Sequence, residues 1–342
     1  MSTRPLVSIL VPVFNAARYL PELCCSIQAQ TFANFEAIFA DDGSTDESIS
    51  VLKPFLTDSR FRCVGWPQNR GLNQAWAHLC SLAQGEFWCC PGADDVLHAA
   101  YLEKRLELLR AKPNACLVHG PAELIDESGA NIGMTSIPAA MPSALKAPRA
   151  LEVLLQHNIV NQPSAMVRTN VTLELLPHFN GHWVYAPDWF FWILHAAKGG
   201  ELIYDPQPRH KYRMHSASLS LDPAKDGVRR ADMTLVPLCA LATAGQFSPL
   251  AAQLWRRWRK PLYYRWLIRA LKLKLRGLLR VGWLTLGASA FYGANYERRN
   301  LLGELRRHGT AAVINYLRER SALNSQGFRV SGLAQIDDPI FR

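Results

Sequence analysis

The chain has no apolar run that would cross a bilayer. The uncharged stretch 281–296 falls short of the ~20 residues a spanning helix needs, and Gly282, Gly287, Gly293 and Asn295 interrupt it. It has no Cys-x-x-Cys pair: Cys24, Cys25, Cys63, Cys80, Cys89, Cys90, Cys116 and Cys239 follow no metal-ligand rhythm, and reduced core thiols in a cytoplasmic protein are expected. It has no glycine-rich phosphate loop after its first apolar segment, where Pro12-Val-Phe-Asn15 stands instead, which argues against a nucleotidyltransferase layout. No period repeats along the chain. The residues after Met1 enter a strand pattern directly, without the apolar core of a secretory leader, so export is not expected.

What is present is a foldable composition with an uneven charge. The 342 residues are 49% hydrophobic and 19% charged, enough for a large core plus an appendage. Residues 255–342 carry 18 Lys/Arg against 5 Asp/Glu, whereas residues 1–254 carry 20 against 23. An acidic body with a basic tail implies that the tail, not the body, meets a polyanion.

Short β-branched segments alternate with helical spacing. The run 6–14 reads as strand and 19–30 as helix; 35–40, 61–65 and 86–90 read as strands, with helices over 47–55 and 72–83 between them. That alternation predicts an α/β fold, a mostly parallel sheet with helices on both faces. A helix over 101–111, a strand over 115–119, loops over 121–148, a helix over 150–157, a strand over 164–168, a helix over 188–197 and strands over 201–204 and 209–213 follow. From about 222 the pattern is helical, which divides the chain into 1–222, with halves 1–112 and 113–222, and a basic C-terminal region 223–342.

Two acid clusters close buried strands. Asp41-Asp42-Gly-Ser-Thr-Asp46 reads as a turn and helix start, Ser44 and Glu47 fitting a capping box, but a cap does not account for adjacent carboxylates at a strand end. A carboxylate placed there can accept the imide N–H of uracil or thymine. Pro91-Gly92-Ala-Asp94-Asp95 reads as an acidic turn, or as the grip of a hard cation, Mg²⁺ or Mn²⁺, that bridges to substrate phosphates.

Val7-Ser-Ile-Leu-Val-Pro-Val-Phe-Asn15, the Asp-Asp-Gly-Ser-Thr-Asp motif, Asn69-Arg-Gly-Leu72, Gly85-Glu86, Ala93-Asp-Asp95 and Tyr212-Arg-Met-His-Ser-Ala-Ser218 stand in the order found in family 2 glycosyltransferases, which have the GT-A fold. Over residues 5–220 the chain resembles that family. The resemblance implies that Pro12 and Asn15 line the nucleotide-sugar site, that Asp42 binds the base and Arg70 sits beside the nucleotide, and that Asp94 holds the ribose and Asp95 the metal. His215 matches a position near the diphosphate or metal, against a merely structural histidine; Arg213 meets phosphate or pairs with an acid. Asp188, in Tyr185-Ala-Pro-Asp-Trp-Phe-Phe-Trp192, matches the general base of an inverting transfer, against the plain reading of an acid in a helix's first turn. Two departures stand out. Gly92 replaces a frequent first carboxylate, and Pro187 replaces the acid that elsewhere precedes the base and raises its pKa.

The tail adds a basic amphipathic pattern. Ten Lys/Arg and no acid lie between Leu254 and Arg280, with Arg265, Arg269, Lys272, Arg276 and Arg280 on one helical face and Trp255, Trp258, Tyr263, Tyr264 and Trp266 interleaved. Contact with an anionic membrane surface through 255–296 is expected, against packing on the body; nucleic acid is not expected. The combined expectation is an inverting, metal-dependent transferase at the inner face of the plasma membrane, using a UDP- or dTDP-sugar and a lipid-linked or glycan acceptor in surface polysaccharide assembly. The alternative is a catalytically silent module that binds nucleotide or glycan.

Overall fold

In the computed structural model, which describes residues 4–135, 141–179, 186–216 and 226–258, the chain builds two sheets. Strands β1 (Val7–Val13), β2 (Phe35–Asp42), β3 (Phe61–Trp66) and β4 (Phe87–Cys89) pair in parallel, linked by helices α1 (Leu20–Gln28), α2 (Ser48–Leu52) and α3 (Leu72–Leu82). After the short strand β5 (Val96–Leu97) come α4 (Tyr101–Ala111), β6 (Ala115–His119), β7 (Glu123–Ile125), β8 (Asn131–Met134), β9 (Ala144–Leu145), α5 (Arg149–Leu154), β10 (Met166–Arg168), α6 (Thr169–Leu175), α7 (Pro187–Ala197), β11 (Glu201–Tyr204), β12 (His210–Arg213) and α8 (Asp226–Ala244).

The large sheet has the order β3-β2-β1-β4-β10-β6-β11-β9, and the small one β5-β12-β7-β8. In the large sheet β10 and β9 run against the other six strands, so the expected mostly parallel α/β architecture is present. The region 121–148, expected to be loops, in fact supplies β7, β8 and β9. They are two to four residues long, with a glycine in β8, so pairing rather than propensity makes them strands. The helix α6 was also not anticipated.

Alternation along each strand sorts the core. Val7, Ile9, Val11 and Val13 face α1, α2 and α4, whereas Leu10 joins Ile38, Trp76, Trp88, Trp192 and Leu241 on the face covered by α3, α5, α6, α7 and α8. Helix α7 is enclosed in this cluster, which explains why it is apolar all round: Trp189 to Ala197 are all buried. Helix α8 and residues 249–258 belong to the same core, through Val236, Leu238, Leu241, Ala251 and Leu254, with Trp255 and Trp258 packed against it. At the start of the basic tail, the two tryptophans read as membrane anchors therefore turn inward, while Arg256 and Arg257 point to solvent and Arg257 pairs with Glu152 at 3.3 Å. The rest of the expected membrane helix, 259–296, and the boundary near 222 lie outside the described residues.

None of the eight cysteines forms a disulfide. Burial pushes the thiols of Cys24, Cys89 and Cys116 up to about 12, so they behave as inert core residues, as expected.

Candidate active site at the carboxyl edge of the sheet

The ends of β1, β2, β3 and β4 bring Pro12, Asn15, Asp42, Trp66 and the Asp94-Asp95 turn to one edge of the sheet. The same edge receives Asp188. Helix α7 ends at Ala197 and only three residues separate it from β11, which enters the sheet parallel to β6, so α7 runs opposite to β11 and its first turn lies over the strands' carboxyl ends. This is the edge at which ligands enter open α/β sheets.

Asp42 is 3% exposed and receives two backbone N–H groups, from Arg70 to Oδ1 at 2.6 Å and from Gly71 to Oδ2 at 2.7 Å. Burial raises its carboxyl pKa, while those two donors and the Arg70 charge hold it down. The loop 68–71 is thereby clamped over β2. The clamp needs Gly43: it adopts φ 72°, and a Cβ there would lie 2.7 Å from Asn69 N. Arg70's side chain is exposed and its guanidinium carbon lies 5.0 Å from the centroid of the Trp66 ring. Sequence reasoning passed over Trp66, although its place at a strand end three residues before Asn69 was a usable signal.

Asn15 joins the first two loops. With φ 49°, it accepts the Thr45 N–H at 2.8 Å and donates its own N–H to Ser44 Oγ at 3.0 Å. The capping box read into Ser44 and Glu47 is therefore absent: Ser44 serves Asn15, and Asp46 takes the N–H and hydroxyl of Ser48. Pro12 lies opposite Ala40 in β1, half-buried on the face shared with Asp42.

The second acid pair divides its labour. Asp95 is 1% exposed; its Oδ2 accepts Gly92 N–H at 2.8 Å and its Oδ1 accepts Arg213 N–H at 3.2 Å. Burial, and then the neighbouring Asp94 charge, push its carboxyl well above the usual range. Asp94 is more open, with its side chain 30% exposed, and its Oδ2 lies 2.9 Å from His215 Nε2. A Cβ on Gly92 would meet Asp94 Oδ1 at 2.5 Å, so only glycine leaves room for both acids behind it.

Arg213 is 2% exposed. It donates to the Asp94 carbonyl at 2.9 Å and the Asp126 carbonyl at 3.0 Å, pairs with Glu22, and stacks over Tyr19. Of its two readings, pairing with an acid is the one the structure contains, and it ties the small sheet to the Asp94-Asp95 turn.

Asp188 stands in the first turn of α7, half-buried, and accepts a hydrogen bond from Asn158 Nδ2 at 3.1 Å. Burial raises its carboxyl pKa, opposed by Asn158 and the Trp189 N–H. What Pro187 withholds as a charged neighbour, burial supplies in part. Asn158 gave no sequence signal, since it lies in a loop thirty positions away.

Among the described residues no group of three or more His, Cys, Asp and Glu side chains could hold a metal alone; Asp94 and His215 offer two donors, so an ion there would need ligands from substrate and water.

Residues 8–161 match the family model Glycosyl transferase family 2. This domain belongs to glycosyltransferase family 2. The chain is 28% identical over 223 residues to an uncharacterized glycosyltransferase of Haemophilus influenzae, covering 64% of this chain and 69% of that protein. It is 34% identical over 127 residues to glycosyltransferase GlyG of Streptococcus pneumoniae, covering 37% and 42%, so the chain matches less than half of GlyG's length. The GT-A fold is shared with solved structures. Residues 1–349 of S. aureus TarS in complex with UDP align with a TM-score of 0.59 at 17% identity, over 97% of this chain and 92% of that piece, whereas a longer TarS structure is covered over 53%. The mannosyltransferase PcManGT of Pyrobaculum calidifontis, in complex with GDP-Man and Mn²⁺, aligns with a TM-score of 0.52 at 17% identity, over 95% and 88%. Of the motifs shared with family 2, Pro12–Asn15, Asp41–Asp46, Asn69–Leu72 and Ala93–Asp95 lie at the carboxyl edge, whereas Gly85-Glu86 precedes β4 at its amino end.

Proposed function

We propose that this family 2 domain transfers a sugar with inversion from a UDP- or dTDP-sugar to a lipid-linked or glycan acceptor in surface polysaccharide assembly, at the inner face of the membrane. The observation that carries the reading is the meeting, at one sheet edge, of a clamped nucleotide loop, an open Asp94–His215 pair and a half-buried carboxylate on an opposing helix. UDP bound to TarS supports a uridine donor, and the Mn²⁺ with PcManGT supports a metal; GDP-Man in PcManGT shows that this fold also accepts guanosine.

In this reading the base stacks near Pro12 and donates its imide N–H to the Asp42 carboxylate, which retains lone pairs beyond the two it uses. Arg70, held by Trp66, balances phosphate charge. Asp95, expected on the metal, is buried with both oxygens engaged by the Gly92 and Arg213 N–H groups, so it would fix the turn from behind, and Asp94, expected on the ribose, would with His215 hold Mg²⁺ or Mn²⁺; the ion would neutralise the leaving diphosphate. Asp188 takes the acceptor hydroxyl's proton as that oxygen attacks the anomeric carbon opposite the departing diphosphate, which inverts the configuration. A carboxyl with a raised pKa is the better base for that step. The acceptor class rests on the family and on the basic tail. Among the described residues no helix is long and apolar enough to cross a membrane.

Asp188→Asn tests the assignment. Transfer or hydrolysis of the donor falls by about 10²-fold or more, in line with loss of a general base, while UDP binding stays unchanged. Wild-type turnover in that variant removes Asp188 from the mechanism.

A further inference from the structure

The loop after α5 is bolted to the first turn of α7. Trp189 Nε1 donates to the Leu154 carbonyl at 2.7 Å inside the core, and Leu151, Leu154 and Leu155 pack in the cluster that holds Trp189 and Trp192. Four residues beyond Leu154, Asn158 is half-buried with both ends of its amide engaged. Its Oδ1 accepts Val160 N–H at 3.4 Å, and its Nδ2 donates to Asp188 Oδ2 at 3.1 Å. The Val160 bond fixes which end of the amide is which, since a flipped side chain would set N–H against N–H and oxygen against carboxylate.

Building on the reading of Asp188 as the base, we propose that Asn158 is its positioning residue: its amide holds one carboxylate oxygen of Asp188 so that the other receives the acceptor's proton. In this chain the polar neighbour of the base comes from a separate loop, where Pro187 has displaced an adjacent acid. An amide in that place favours the charged carboxylate and orients it; a neighbouring acid would do the opposite to its charge.

The leading influences on the Asp188 carboxyl are burial, the Asn158 amide, backbone N–H groups of the helix start and the Trp192 indole, none of them a charged side chain. On the elements around it, Glu152 of α5 pairs with Arg149 and Arg257, and Glu174 of α6 pairs with Lys198. His157 is exposed beside Asn158, His195 is buried deeper in α7 against the Phe191 carbonyl, and His78 of α3 lies on Trp66. Of the described side chains of α8, Cys239 is the titratable one. The Trp192 indole N–H has no partner within hydrogen-bond distance, yet is near enough to favour the carboxylate's charge.

The test compares Asn158→Asp, Asn158→Ala and Asp188→Asn in the full chain. Turnover of a panel of UDP- and dTDP-sugars with Mn²⁺ is followed against pH, and the Asp188 carboxylate is titrated by infrared difference between each protein and its Asp188→Asn counterpart. Asn158→Asp keeps the shape but replaces a donor with an acceptor. It should keep the melting temperature and UDP affinity of the wild type while kcat at neutral pH falls about tenfold. The acid limb of kcat, and the infrared midpoint, should rise by about one unit, the size of a lost charge-assisted bond. Asn158→Ala should move both in the same direction by less, with kcat recovering at high pH. A wild-type limb and midpoint in Asn158→Asp overturn the role of Asn158. That result together with an inactive Asp188→Asn leaves the base intact, whereas an active Asp188→Asn refutes the base itself.

Discussion

Replacing Asp42 with alanine should cost more stability than its single position suggests. The carboxylate closes a clamp, and its removal leaves the N–H groups of Arg70 and Gly71 without an acceptor. Bonds to a charged acceptor contribute about 1.5–3 kcal/mol each, so the pair begins at about 3–6 kcal/mol. Two effects reduce it. Arg70 is exposed, so water recovers part of its N–H, and the variant no longer buries a charge whose desolvation already raises its pKa. A net loss of about 2 kcal/mol is expected, a sizeable part of the ~5–15 kcal/mol that holds a domain folded. Urea denaturation should show a lower midpoint at unchanged slope, and hydrogen exchange should quicken at the amides of Arg70 and Gly71 more than at Leu79 or Leu10. Because the same loop carries Arg70 to the nucleotide site, UDP affinity should fall at least tenfold. Stability within 0.5 kcal/mol of the wild type, with protection at 70 and 71 intact, would refute the clamp.

Other outcomes follow from the same geometry. Asp46 is exposed, and although partial desolvation disfavours its charge, the Ser48 hydroxyl, the Ala17 N–H and the Ser48 N–H outweigh that and lower its pKa. Its contribution is therefore present above about pH 3.8 and lost as pH falls through the depressed folded value; Asp46→Asn should be less stable than the wild type at pH 7, and the gap should close below pH 3, read by thermal unfolding at each pH. Trp189→Phe removes a core hydrogen bond and leaves the Leu154 carbonyl unpaired, costing about 1–3 kcal/mol by urea midpoint. Gly43→Ala should cost at least as much, because the backbone conformation and the 2.7 Å approach of Asn69 both resist a Cβ.

The parallel half of the fold was legible because buried strands and amphipathic helices write opposite periods: Val7, Ile9 and Val11 alternate, while Leu20, Leu23, Cys24 and Ile27 do not. Of the small sheet β12 was legible but β7 and β8 were not, since both are short, β8 is largely exposed, and they owe their shape to pairing, β7 with β12 and β8 with β7. Ser44 and Glu47 misled as a cap because a motif carries no information about partners from another loop, and Asn15 claimed the serine. The acids at 42, 94, 95 and 188 were visible as residue types at element ends. Which of them faces a ligand was not: Asp94 and Asp95 are neighbours in sequence, and only the turn's hydrogen bonds separate the open acid from the buried one. Asn158 emerged from packing alone, whereas Trp66 stood at a legible strand end and was passed over.

Diffraction from crystals grown with UDP and Mn²⁺, recorded at the manganese absorption edge, locates both ligands at once. A manganese peak within about 2.0–2.3 Å of an Asp94 oxygen and His215 Nε2, with the uracil against Pro12 and the Asp42 loop and Asp188 across an open sugar-sized gap from the diphosphate, is the expected result. Manganese bound elsewhere, or Asp188 turned away from the nucleotide, would contradict it.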